Sequence, residues 1–152
     1  MASRVLISVR VKSTPQRAFE VFTRDISLWW RPNPEFAFTP RSPGEMAFEG
    51  QERLVERLPN GKVFEVGKVT AWEPGSRLAF GWRQATFAPD QATDVEVTFE
   101  AVGEETRVTV IHTGWDSVPR EHVAKHGMEN GYFMKRHGDW WRELIDCMGE
   151  RV

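Results

Sequence analysis

Four histidines and one cysteine are the side chains in this 152-residue chain best suited to acid–base or nucleophilic chemistry. His112 comes first. It alternates in phase with Val108 and Val110, so it faces the concave side of a strand with them. An imidazole there can act as general acid or base, or hydrogen-bond a ligand hydroxyl, because it titrates near neutrality. The same placement suits a buried histidine that is satisfied by the backbone, or one that ties the strand end to a C-terminal helix. This structural role carries the greater weight. His122 and His126 have the i, i+4 spacing that can hold zinc on a helix. The residues between them are Val-Ala-Lys, without the glutamate of a zinc-protease motif, and no third ligand is obvious, so a solvated polar face is expected and no metal. His137 sits on or beside the apolar face of a helix. Asp94, Glu96 and Glu100 fall on the outward face of their strand, while Glu35 and Asp116 sit on loops that can reach a cavity mouth. Cys147 reads as a small packing residue, with no histidine nearby in sequence to activate it. Gly114, Gly127 and Gly131 are isolated, so there is no glycine-rich phosphate loop. No catalytic constellation emerges, and no cofactor is expected.

The aromatic residues say more. Seven tryptophans fall at Trp29, Trp30, Trp72, Trp82, Trp115, Trp140 and Trp141. Each buries about 150–250 Å² when enclosed, which is more than a small core usually needs. Interiors are close-packed, so such a set implies an unusually aromatic core or an aromatic-lined cavity. Trp30, Phe38, Phe48, Phe80, Trp82, Trp115 and Trp141, with His112, are the residues expected around a cavity. Arg83, Lys68 and Thr70 are further polar candidates. An apolar pocket with few polar groups is the usual small-molecule site.

Composition sets the limits. The length fits one domain, residues 1–152, large enough to fold without a metal or disulfide staple. Twenty basic and 22 acidic residues give a net charge of −2, which removes the electrostatic case for nucleic acid or an anionic membrane. A lone cysteine forms no internal disulfide and fits a reducing compartment. The opening residues are too polar for a signal peptide, and no apolar run approaches the ~20 residues of a membrane helix. A soluble cytoplasmic protein is the expectation.

The elements that must position these residues follow from periodicity. Val5, Ile7, Val9 and Val11 alternate with polar neighbours and mark a half-buried strand over 4–12. Thr14 caps a helix that starts at Pro15 and carries Ala18, Phe19, Val21 and Phe22 on one face. Asp25 caps a second short helix to Trp30, ended by Pro32 and Pro34. A proline-rich loop spans 31–43. Strands follow at about 44–50 and 51–58, then 62–73, 77–83, 93–101 and 106–115, with Trp115 ending the last. Asn60-Gly61 signals a two-residue hairpin. Asp116 or Ser117 caps a turn at Pro119. Phe133, Trp140, Trp141, Leu144, Ile145 and Met148 form one wide helical face over 130–148. Short turns make the strands antiparallel. Only the C-terminal helix is long enough to cover the sheet, which can curl around it and leave space between.

Particular segments resemble the helix-grip fold of the START-like (SRPBCC) superfamily. More narrowly, they resemble small bacterial proteins related to the activator of the heat-shock-protein ATPase. Pro15 to Phe22 is similar to the helix after strand one in that family. Leu28-Trp29-Trp30 with Pro32 resembles its l-x-W-W-x-P segment. Gly67-Lys68-Val69, Trp72-Glu73-Pro74 and Leu78-Ala79-Phe80-Gly81-Trp82 resemble its central hairpin. Thr106-Arg107-Val108 through His112-Thr113-Gly114-Trp115 resembles its last strand, and Gly138-Asp139-Trp140-Trp141-Arg142-Glu143-Leu144 is close to its C-terminal G-W-x-x-x-L. The resemblance implies an α+β fold: a curved antiparallel sheet of six to seven strands around a long C-terminal helix. It also implies an internal cavity, used in different members for lipid or polyketide binding, ring cyclisation, antibiotic sequestration or co-chaperone work in the stress response. The stretch around Gly81-Trp82-Arg83 and Thr106 to His112 is also similar to an enediyne-resistance member. The function expected first is binding of a hydrophobic, aromatic or polyketide-like small molecule between sheet and helix. A cyclase/aromatase enzyme and a co-chaperone-like module, with a protein partner or homodimer, are the alternatives.

Overall fold

The computed structural model describes residues 4–39, 43–118, 122, 125 and 128–152. Strand β1 (Arg4–Val11) leads through helices α1 (Pro15–Arg24) and α2 (Ile26–Trp29) to β2 (Glu45–Glu49). The strands β3 (Arg53–Arg57), β4 (Val63–Glu73), β5 (Arg77–Trp82), β6 (Thr93–Val102) and β7 (Glu105–Thr113) follow, and α3 (Asn130–Gly149) closes the order. The seven strands form one sheet in the order β1-β7-β6-β5-β4-β3-β2, with every pairing antiparallel. The chain therefore crosses from one edge of the sheet to the other between β1 and β2, and α1 and α2 make that crossing. This is the α+β helix-grip architecture.

Local chemistry accounts for the elements. Pro15 sits at the first position of α1, and the Thr14 hydroxyl accepts the Arg17 N–H at 3.1 Å, which satisfies one of the free N–H groups of the first turn. Val5, Ile7 and Val11 of β1 are buried and Val9 half-buried, with Arg4, Leu6, Ser8 and Arg10 outside or near it. The concave faces of the central strands contribute Val108, Val110 and His112, then Val95, Val97 and Phe99, then Leu78, Phe80 and Trp82. On α3 the buried side chains are Phe133, His137, Trp140, Trp141, Leu144, Ile145 and Met148, a stripe at three- and four-residue spacing; the helix packs on β1, α1 and α2, and Trp141 meets His112 and Trp82 of the central strands.

Glycine is essential at one crossing. A Cβ on Gly67 would stand 1.9 Å from the Gly81 carbonyl oxygen, so β4 and β5 approach there only because Gly67 has no side chain. Register shifts beside this point, at Leu54/Val55 and Val69/Ala71, bend the sheet into its curve.

Three local expectations change. The Asn60-Gly61 turn is a three-residue loop, Pro59 to Gly61, because Leu58 N–H pairs with the Lys62 carbonyl at 2.8 Å outside it. The Asn60 side chain takes the Lys62 N–H at 3.0 Å and Gly61 adopts φ +85°, the left-handed closure of such loops. Trp115 does not end the last strand. Strand β7 stops at Thr113, Gly114 turns at φ +95°, and Trp115 begins a 3-10 turn through Ser117. Asp25 stands at the N-cap of α2 without a side-chain cap bond. The turn expected at Pro119 lies outside the described residues.

Candidate ligand site and the buried histidine pair

A hydrogen-bonded chain runs through the interior behind β7. The Trp141 indole N–H on α3 donates to His112 Nδ1 at 3.2 Å. An indole N–H only donates, so Nδ1 is the acceptor and Nε2 carries the proton. Nε2 lies 2.9 Å from Thr93 Oγ1, to which it donates, and that hydroxyl donates to the Trp82 carbonyl at 2.5 Å. The helix and strands β7, β6 and β5 are thus linked through one neutral tautomer of His112. Burial drives this imidazole well below the usual histidine range, and the neighbouring His137 pushes the same way. Protonating His112 would set an Nδ1–H against the Trp141 N–H, donor facing donor.

His137, one helical turn before Trp141, has the opposite condition. It is fully buried, and its ring nitrogens make no hydrogen bond beyond its own backbone. Burial pushes its pKa down to about 3. Its ring is enclosed by those of Phe36 at 4.5 Å, His112 at 5.0 Å, Trp115 at 5.3 Å, Trp140 at 5.4 Å and Trp82 at 5.7 Å, centre to centre. The Trp82 and Trp115 indole N–H groups are also buried and unpaired. Each unpaired buried group costs about 1–3 kcal/mol, so the centre of the aromatic cluster is a polar region left unsatisfied by the protein.

Beside this cluster opens an apolar cavity of about 440 Å³. Trp30, Phe36, Phe38 and Trp140 wall it, the prolines Pro32, Pro34 and Pro43 frame it, and Glu56, Asn33 and Thr39 supply its polar atoms. Local structure sets these walls. Asn33 caps a 3-10 turn, Pro34–Phe36, through the Glu35 N–H, and that turn aims Phe36 inward onto Trp140 at 5.2 Å. Glu35 pairs with Arg136 of α3, pinning the loop to the helix. The Trp140 indole donates to the Arg31 carbonyl at 2.9 Å. Glu56 is buried and accepts the Gly44 N–H at 3.1 Å.

The structure sorts the residues expected around a cavity into two groups. Trp30 and Phe38 line it and touch each other at 6.2 Å. Phe80, Trp82, His112, Trp115 and Trp141 are fully buried in the interior, and Phe48 is half-buried against Phe80 and Phe22. Trp82 joins the groups, standing 4.8 Å from Phe38 and 5.9 Å from Trp30. Arg83, Lys68 and Thr70 are exposed and supply no inward polar group; Arg83 donates to the Phe87 carbonyl. Asp116 is exposed. His122 bonds the Thr86 carbonyl at 2.9 Å, whereas His126 lies outside the described residues. Among the described residues no group of three or more His, Cys, Asp or Glu side chains could hold a metal ion. No helix among them is long and apolar enough to cross a membrane.

Sequence reasoning did not find Phe36, Phe87 or Lys125. Phe36 and Phe87 sit in loops without periodicity, and only the Asn33-Pro34 turn signal before Phe36 marks its place. Lys125 is buried, with Nζ donating to the Trp115 carbonyl at 3.0 Å and standing 5.9 Å from the Phe133 ring.

A curved antiparallel sheet closed by a C-terminal helix, with an aromatic interior, defines a START-like (SRPBCC) protein. The chain belongs to the family of Activator of Hsp90 ATPase homolog 1-like proteins, whose family model matches residues 12–134. No curated protein matches the sequence. Three similar solved structures differ in what their names say. The self-sacrificing resistance protein CalC of Micromonospora echinospora is 24% identical at TM-score 0.63, over 98% of this chain and 93% of that one. The anthrahydroquino-γ-pyrone synthase Txn09 is 26% identical at 0.56, over 95% and 96%. An HSP90 activator of Plasmodium falciparum is 14% identical at 0.61, over 91% and 87%.

Proposed function

We propose that this protein binds a planar hydrophobic small molecule, aromatic or polyketide-like, in the cavity beside α3. The observation that carries this reading is the cavity itself. It is large enough for a polycyclic guest, and Trp30, Phe36, Phe38 and Trp140 offer ring faces and edges to it. Trp82, Trp115 and Trp141, with Phe48, Phe80 and His112, form the bed behind those walls. The likeness to a synthase named for an anthrahydroquinone–pyrone product, at 26% identity, supports the same ligand class. The reading is one of binding without catalysis, because both His112 nitrogens are held in the protein's own hydrogen bonds.

Titration with polycyclic aromatics, read by tryptophan fluorescence, tests this. Ligand in the cavity quenches or shifts the emission, because Trp30 and Trp140 line it. Binding changes little with salt, since the net charge is only −2. Trp30→Leu weakens binding roughly tenfold, from about 50 Å² of lost apolar contact at about 25 cal/mol per Å². Unchanged fluorescence across the panel, with the protein folded, would refute the reading and turn attention to a protein partner.

A further inference from the structure

We infer that the inner end of this site is an oxygen-recognition pole, built from Trp82, Trp115 and His137, which takes a carbonyl or phenol oxygen on the edge of an aromatic ligand. The inference rests on the proposed ligand-binding role and names the chemistry that the bound molecule carries.

Four rings meet here: His112 lies 5.1 Å from Trp82, 5.2 Å from Trp115 and 5.0 Å from His137. His112 is saturated on both nitrogens. The other three rings are buried: the Trp82 and Trp115 N–H groups are unpaired, and the His137 nitrogens make no hydrogen bond beyond that residue's own backbone. Buried polar groups in folded proteins nearly always have partners. Unpaired groups on Trp82 and Trp115, both packed on the His137 ring at 5.7 and 5.3 Å between centres, are therefore a feature in need of a cause. Apolar rings of similar size would pack here without that penalty.

The chemistry of these atoms selects the guest. Two indole N–H groups only donate, so they call for an acceptor. A neutral imidazole adds one donor and one acceptor. A carbonyl oxygen meets the donors, and a phenol oxygen meets a donor while its proton goes to His137. A hydrocarbon meets none of them. Hydroxyls, ketones and quinones on flat rings fit both this pole and the apolar cavity next to it.

The two are one ring apart. Phe36 and Trp140 line the cavity on one side and pack on His137 on the other, at 4.5 and 5.4 Å. Trp140 is fixed in α3, whereas Phe36 rides on a three-residue 3-10 turn of the proline-rich loop. Phe36 and Trp140 are the rings that stand between cavity and pole.

The test compares matched ligands and matched variants of the full chain. Affinities for fluorene, 9-fluorenone and 2-hydroxyfluorene are measured by equilibrium dialysis with wild type, Trp82→Phe, Trp115→Phe and His137→Leu. The two Phe variants keep a ring and delete the donor. His137→Leu keeps the volume and deletes both nitrogens. The expected result is that the fluorenone-to-fluorene affinity ratio falls about three- to tenfold in at least one Trp→Phe variant, the factor for one hydrogen bond. For 2-hydroxyfluorene the ratio falls in His137→Leu, each ratio being taken against fluorene on the same protein. His137→Leu also unfolds at the same or higher urea concentration than wild type, because it removes an unpaired buried ring. Ratios that stay constant in all variants while fluorene binds would overturn the oxygen pole and leave the binding role standing. No binding of any of the three compounds to folded wild type would overturn both.

Discussion

Lowering the pH sets the two buried histidines against the fold. In the native state His137 titrates only at about 3, and His112 is held well below the usual range. In the unfolded chain both take a proton near 6.5. Below that value the unfolded state binds more protons than the native state, so acid favours unfolding. The stability is complete above pH 6.5 and is lost as pH falls toward the native value, about 3 for His137. His137 contributes a slope of about 1.4 kcal/mol per pH unit across that window, and His112 adds to it in the same direction. His137 alone removes about 2–3 kcal/mol between pH 6.5 and 4.5, a large share of the roughly 5–15 kcal/mol that holds a domain folded, and His112 acts in the same direction. The assay is urea unfolding at pH 7.0, 6.0, 5.0 and 4.5, analysed with one slope in denaturant. His137→Leu is the decisive variant: it lowers the pH slope by about 1 kcal/mol per pH unit, and its stability at pH 7 equals or exceeds that of wild type. A slope below about 0.5 kcal/mol per pH unit in wild type, or an unchanged slope in His137→Leu, would refute the reasoning.

Two further outcomes follow from single contacts. Trp141→Phe leaves His112 Nδ1 without its donor and costs about 1–3 kcal/mol in denaturant melts, while Trp141→Ala costs about 3–5 kcal/mol by adding a cavity; a Trp141→Phe loss below about 0.5 kcal/mol would mean that the indole N–H contributes nothing. Gly67→Ala drives a methyl group into the Gly81 carbonyl and lowers stability by more than about 2 kcal/mol, read as a drop in melting temperature; a loss under about 0.5 kcal/mol would show that β4 can move away from β5 there.

Much of the fold was legible in the sequence because its signals are local. Alternation in 4–12 and 93–101, the Thr14-Pro15 helix start and the apolar stripe from Phe133 to Met148 all depend on neighbours a few residues away. Those same signals placed His112 on the inward face and required a helix to cover the sheet. What His112 does there was not legible, because its partners Thr93 and Trp141 stand 19 and 29 residues away and only the folded chain brings them to it. The tertiary structure also decided which aromatic residues fill space and which enclose it. Trp30 and Trp141 look alike as residues in an apolar segment, yet one lines the cavity and the other is fully enclosed. Phe36 enters the site from a loop with no periodic signal, held by an Asn33 cap and the Glu35–Arg136 pair to a helix about a hundred residues on. Composition and periodicity determined that an aromatic interior would form between sheet and helix. Where that interior stays open, and which of its polar atoms stay unpaired, was set by packing, since both depend on how distant rings meet in three dimensions.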